Sequence, residues 1–194
     1  MPDQRSNQDV WSLPLAIVGD GRAGGSLARA ARSAGLEVRV AGRGEAAGAC
    51  RGAGAALICV GDDEIDEACG EVDDAGVPPF VGHISGATPL IVLAPAVDAG
   101  AEAFSLHPLQ TIPDSETELT GTPCAVSGLA PAGEEYATSL ATRLGLRPFP
   151  LDDAARVAYH AAASIASNFL VTLEESAAAL LGRSGVEDAH ELLT

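Results

Sequence analysis

Short strand-like runs of apolar residues recur at intervals of about twenty residues along the first half of the chain. Leu13-Pro14-Leu15-Ala16-Ile17-Val18 is continuous rather than alternating, the pattern of a strand buried on both faces of a parallel sheet. Glu37-Val38-Arg39-Val40-Ala41, Ala56-Leu57-Ile58-Cys59-Val60 and Phe80-Val81-Gly82-His83-Ile84 follow. Further strands are expected at 101–106, 123–127 and 146–150. Between them lie helix patterns at 23–34, where Gly35 is the stop, at 45–53, at 62–69 with acids in the first turn, and at 131–144. Strands alternating with helices predict an α/β fold built on a doubly wound parallel sheet.

After residue 151 the pattern changes. Asp152 to Leu181 contains no proline and no glycine and is rich in alanine. Asp152 and Asp153 offer an N-cap and first-turn acids, and Gly182 a stop. About 30 residues at about 1.5 Å each predict one helix of roughly 45 Å, a length that normally needs partners along it. The expected organisation is a tail over 1–11, a dinucleotide-binding domain over 12–151, and over 152–194 the start of a helical domain, truncated here, that serves dimerisation and substrate binding.

The dinucleotide assignment rests on Gly19-Asp20-Gly21-Arg22-Ala23-Gly24, a G-x-G-x-x-G that directly follows a buried strand and directly opens a helix. Gly19 permits the tight turn, Gly21 lets backbone approach a pyrophosphate, and Gly24 lets the helix pack close on the strand. The N–H groups of Arg22, Ala23 and Gly24 and the helix dipole would then hold the anion. A plain glycine turn is the alternative. The second strand ends Val40-Ala41-Gly42-Arg43 with no acid at its tip, where an NAD enzyme usually carries one about 20 residues on. Arg43 beside Gly42 suits a 2′-phosphate, since its planar fork binds phosphate in two places; otherwise it is a surface arginine. NADP(H) is therefore the expected cofactor, with Val60 and Gly61 closing the site beyond the third strand.

Charge narrows the function further. The chain has 27 acids against 11 bases and a net charge of −16, which repels nucleic acid and anionic lipid surfaces. Every base is an arginine, so lysine Schiff-base and phosphate-loop lysine chemistry are excluded. No apolar run approaches the roughly 18 residues of a membrane span, and Met1 to Gln8 lacks the form of a signal peptide. A cytoplasmic protein is expected. Cys50, Cys59, Cys69 and Cys124 form no C-x-x-C pair and no metal-finger spacing with the histidines, so they read as reduced and structural, and no metal is expected.

Three segments carry a family resemblance: Gly82-His83-Ile84-Ser85-Gly86-Ala87, Ser105-Leu106-His107-Pro108-Leu109-Gln110-Thr111, and Tyr159-His160-Ala161-Ala162-Ala163 with Ser167-Asn168. From Ile17 to Leu173 the sequence resembles Rossmann-like proteins with a conserved C-terminal domain of unknown function. These are relatives of pyrroline-5-carboxylate reductase, prephenate dehydrogenase and the 6-phosphogluconate dehydrogenase group. The resemblance implies NADP-type cofactor binding and a helical domain through which the chain forms a homodimer, a domain that in the family continues for several more helices.

His83 and Ser85 fall at a strand's carboxyl end, two apart and on the same side, which puts Ser85 near the nicotinamide or makes it a polar cap on the exit turn. His107 precedes a proline in a stiff loop. By resemblance to prephenate dehydrogenases, His107 and Gln110 line the substrate pocket; a structural His-Pro turn is the alternative. His160, Ser164 and Asn168 are spaced i, i+4, i+8 on the predicted long helix and so share a face. In hydroxyacid dehydrogenases of the wider group a lysine and an asparagine on this helix handle the substrate carbonyl. Here His160 would replace the lysine as proton donor, since an unperturbed imidazole, with a pKa of about 6.5, suits neutral pH, and Ser164 and Asn168 would orient the substrate. A helix–helix hydrogen-bond network is the alternative. His190 reads as surface. The sequence thus points to an NADP(H)-dependent oxidoreductase of a small carbonyl or imine. The competing readings are a 2-keto acid reductase of the ketopantoate type and a non-catalytic NADP(H)-binding module.

Overall fold

The structure is a computed structural model that describes residues 10–42, 44–73 and 76–193. It contains a seven-stranded sheet in the order β2-β1-β3-β4-β5-β6-β7. The strands are β1 (Leu15–Val18), β2 (Val38–Ala41), β3 (Ala55–Ile58), β4 (Phe80–His83), β5 (Glu102–Pro108), β6 (Pro123–Gly128) and β7 (Arg147–Pro150). The helices before residue 150 are α1 (Arg22–Ser33), α2 (Ala46–Cys50), α3 (Ile65–Asp73), α4 (Ala94–Asp98) and α5 (Pro131–Arg143). Each expected element is present, most with shifts of a residue or two at the ends; α2 stops three residues short of the expected 53, and α3 begins after a 3₁₀ turn (Asp62–Glu64) and runs four residues past the expected 69. The added ones are α4, short 3₁₀ turns such as Leu90–Leu93, and Val10–Ser12, where Trp11 stacks on Tyr136 at 4.8 Å.

The sheet is wound on both faces because strand side chains alternate. Leu15, Ile17, Leu57, Phe104 and Leu106 pack with α1 and α5, while Ala16, Val18, Ile58, Val81 and Ala103 pack with α2, α3 and α4. Strands β1 to β5 are parallel, but β6 pairs antiparallel with β5 and β7 runs parallel to β6. The reversal has a local cause. A parallel neighbour needs a crossover of a dozen or more residues, usually helical, and α5 supplies one between β6 and β7. Between β5 and β6 there is only an irregular loop, so the chain folds straight back.

That loop is pinned to α1. Arg29 donates to the carbonyls of Glu116 and Thr117, both at 2.9 Å, and Ser26 Oγ donates to the Asp114 carbonyl at 3.0 Å. The Thr120 hydroxyl and N–H, with help from Arg29, hold the Glu118 carboxyl down at about 2.

The chain divides into two compact units, Met1–Arg156 and Val157–Thr194. The predicted long helix exists as a continuous helical stretch, but it is not uniformly α. A 3₁₀ turn (Asp153–Ala155) leads into α6 (Arg156–Ser164), then a π turn (Ile165–Phe169), α7 (Leu170–Arg183) and, beyond a break, α8 (Ala189–Leu193). A π turn holds an extra residue, so positions beyond it are rotated from where α spacing puts them. No helix among the described residues is long and apolar enough to cross a membrane.

Candidate functional site

Parallel strands bring their carboxyl ends to one edge, and the site is built there. Gly19 leaves β1 with φ +114°, a conformation that favours glycine, and a Cβ on it would lie 2.5 Å from the Cys59 carbonyl oxygen. Gly24, one turn into α1, sits so close to the strand exit that a Cβ would lie 1.9 Å from the Gly19 carbonyl oxygen. The helix start is therefore pressed against the end of β1.

Gly21 is the N-cap of α1. No side chain caps the helix, and its first turn holds no acid. The leading N–H groups of Arg22, Ala23 and Gly24 have no partner within the helix itself. A cleft of about 290 Å³ opens over this turn, lined by Gly19, Asp20, Gly21, Gly42, Val60, Gly61 and acids of α3. An uncapped helix start over a glycine turn fits the pyrophosphate of a dinucleotide. Gly42, Val60 and Gly61 lie on the walls, while Arg43 lies outside the described residues.

The tip of β2 holds an acid that reading along the strand missed. Glu45 folds back so that its carboxylate accepts the Gly42 N–H at 3.2 Å. Glu64 does the same for Gly61 at 3.3 Å beyond β3. Both are i, i+3 reversals, a spacing visible in the sequence only once the turn is known.

A second polar cluster lies at the ends of β4 and β5. His83 and Ser105 are register partners, and His107 follows on the same face. His83 is fully buried. Its Nδ1 accepts the Ser85 N–H at 3.2 Å, so the ring proton sits on Nε2, which has no partner among the described residues. Burial, reinforced by the nearby Arg156 guanidinium, pushes the His83 imidazole down to about 3. His83 is thus a neutral ring at physiological pH and no proton donor.

Ser85 does not point away from its loop. Its hydroxyl accepts the N–H groups of Ala87 and Thr88 and donates to Thr88 Oγ1, shaping a tight turn. That turn places Gly86 against His107, whose Cε1 and Nε2 would be 2.9 Å from a Cβ at Gly86. Sequence reasoning brought Ser85 and His107 to one edge separately; the structure makes them neighbours. Gln110 is occupied within its loop: its amide donates to the Glu118 carbonyl at 3.1 Å and its oxygen accepts from Thr122.

The cluster is held by Arg156, which the sequence reading passed over. This side chain is buried, and its guanidinium donates to the Ser85 carbonyl at 3.2 Å, to Ser105 Oγ and to the Asp153 carboxylate. Asp153 also accepts the Leu90 N–H at 3.2 Å. The available signal was one arginine among apolar neighbours, three residues after an aspartate.

In the second unit, His160 Nε2 and Ser164 Oγ stand 3.5 Å apart, a contact at the outer limit of a hydrogen bond, and His160 Nδ1 is buried without a partner among the described residues. Asn168 falls within the π turn, and its side chain lies outside the described ones, as does that of His190. The four cysteines are buried and form no disulfide among the described residues, and burial pushes the thiols of Cys50 and Cys124 up to about 11 and about 12 and that of Cys59 higher still. Among the described residues, no group of three or more histidines, cysteines or acids could hold a metal ion.

The mostly parallel sheet and the glycine turn at the start of α1 are those of a Rossmann-like α/β fold, and comparison with solved structures agrees on the fold. A Bacteroides fragilis protein assigned as an NADP oxidoreductase superposes with TM-score 0.74 at 18% identity, covering 91% of this chain and 75% of that one. Plasmodium falciparum pyrroline carboxylate reductase, solved with NADP bound, gives 0.67 at 12% identity over 94% and 75%. An Aspergillus terreus reductive aminase, solved in complex with NADPH4, cyclohexanone and allyl amine, gives 0.68 at 18% over 93% and 69%. Residues 122–194 match the family described as a domain of unknown function, DUF2520. No curated protein matches the sequence.

Proposed function

We propose that the chain is an NADP(H)-dependent oxidoreductase of a small carbonyl or imine. The observation that carries this is the uncapped start of α1, set by Gly19 and Gly24 at the floor of an open cleft. Bound NADP(H) would supply or accept a hydride. The chain's own part is to hold the pyrophosphate on the N–H groups of residues 22–24, to hold the 2′-phosphate with Arg43, and to manage a proton. The NADP and NADPH4 complexes of the pyrroline carboxylate reductase and the reductive aminase support the cofactor.

For the proton, His107 is the candidate beside the Ser85–Gly86 turn, and His160 the candidate of the second unit, with Ser164 and Asn168 orienting substrate. His83 is ruled out of this role by its burial and low pKa. The second unit also supports a homodimer: Ile165, Phe169, Val171, Leu173 and Leu180 are each more than half exposed, an apolar surface that association would cover.

The test follows NADPH absorbance with a panel of ketones, 2-keto acids, and ketone plus amine mixtures. Turnover that His107→Ala or His160→Ala abolishes, while NADPH binding survives, supports the reading. Tight binding with no turnover on any substrate would leave a binding module in its place.

A further inference from the structure

Ser85 is gripped from both sides by buried side chains. Its N–H donates to His83 Nδ1 at 3.2 Å, and its carbonyl accepts from the Arg156 guanidinium, also at 3.2 Å. Its hydroxyl accepts the Ala87 and Thr88 N–H groups, so every polar atom of the residue serves the shape of one turn. The next residue in that turn, Gly86, meets the imidazole edge of His107: a Cβ there would lie 2.9 Å from Cε1 and Nε2 and 3.1 Å from Cδ2. Arg156 also donates to Ser105 Oγ, two residues before His107 on β5 and on the same face of that strand. One guanidinium therefore ties together the two segments that hold the His107 ring, the strand that carries it and the turn that abuts it.

Stability alone is a weak reason for this arrangement. Arg156 is among the largest fully buried side chains described, and the desolvation of a buried ion pair often offsets its attraction. A buried planar fork supplies something else, a fixed distance and direction between the groups it bonds. Proton transfer depends on such fixity: a donor must lie within about 2.6–3.2 Å of the atom it serves, and a misplacement of about 1 Å can cost on the order of a hundredfold in rate. We infer that Arg156 is a positioning residue for His107, clamping the Ser85–Gly86 turn to β5 so that the imidazole edge is held in one place. The inference rests on the reading of His107 as proton donor given above, and adds the residue that fixes its geometry.

Two variants test it. Arg156→Lys keeps the charge but offers a single nitrogen that cannot reproduce the fork, and Ser105→Ala removes one hold while leaving the guanidinium in place. The first readout is the imidazole NMR spectrum of the nitrogen-labelled full chain, in which the His107 signals are those missing from His107→Ala. The others are fluorescence titration with NADPH, and kcat and KM on whichever ketone or ketone-plus-amine mixture of the panel above is turned over. The His107 signals should shift or broaden in both variants. In Arg156→Lys kcat should fall roughly ten- to hundredfold, and in Ser105→Ala less, while KM and NADPH affinity stay within about twofold. A merely structural arginine would lower the melting temperature without moving those signals or separating kcat from KM. His107 signals unchanged in both variants, or in Ser105→Ala where Arg156→Lys does not fold, overturn the inference with or without turnover in the parent chain; so do signals that move while kcat stays the same. Turnover that survives His107→Ala overturns the proton reading itself, a failure distinct from that of the clamp, which the ring signals report separately.

Discussion

The Arg156–Asp153 pair allows a prediction whose sign is set by unequal burial. The Arg156 side chain is 2% exposed, whereas that of Asp153 is 40% exposed. Asp153→Ala leaves a buried guanidinium with only the Ser85 carbonyl and Ser105 Oγ, and uncovers the Leu90 N–H. Breaking a pair so that a buried charge is left alone costs about 3–5 kcal/mol. Arg156→Met fills similar volume with apolar atoms and leaves a carboxylate that water reaches and Leu90 still bonds. Its cost is that of the hydrogen bonds lost by Ser85 and Ser105, about 2 kcal/mol. The smaller change in side-chain size is therefore not the guide; the aspartate variant should be the less stable. The double variant removes the orphaned charge and should be more stable than Asp153→Ala alone, a coupling that independent sites would not show. Urea denaturation of the three variants, compared by midpoint at constant m-value, measures this. If Arg156→Met proves the costlier single change, or the double variant equals the sum of the singles, the charge-burial argument is wrong.

Three further outcomes follow from the same geometry. The His83 pKa is about 3 when folded and 6.5 when free, so the unfolded chain binds the extra proton between those values and stability falls as pH drops below about 6.5. Between pH 7 and pH 5 this amounts to about 2 kcal/mol, at 1.36 kcal/mol per unit below 6.5, and His83→Asn should flatten that slope in paired denaturation curves. Gly24→Ala drives a Cβ to 1.9 Å from a backbone oxygen, so α1 must shift outward. NADPH affinity should fall more than about tenfold and stability by roughly 1–3 kcal/mol, read by titration and thermal melting. The four buried thiols should resist a thiol reagent in the native protein and react only after unfolding; rapid labelling without denaturant would contradict the burial.

The glycine turn was legible because its determinants are neighbours in the chain. A buried strand, Gly19-Asp20-Gly21-Arg22-Ala23-Gly24 and a helix start are local events, and glycine at those positions answers local backbone demands. The doubly wound sheet followed from the same kind of signal, apolar runs spaced by helix patterns. Local pattern was silent on the direction of β6 and β7, because that depends on the missing crossover between β5 and β6 rather than on any residue within the strands. It was also silent on the π turn, which hides in an unbroken alanine-rich stretch.

At the candidate site the division is sharper. His83, Ser85 and His107 announced themselves as polar residues at strand ends. Arg156 could not, since it reaches Ser85 and Ser105 across 71 and 51 residues of chain. Nor could Glu45, which lies three residues beyond the tip it reaches. The sequence by itself determined the strand–glycine turn–helix that we propose holds a pyrophosphate, because backbone conformation there is set by adjacent residues. Only the tertiary structure decided which charges surround it, because electrostatic environment depends on distance in space, and chain separation does not encode that.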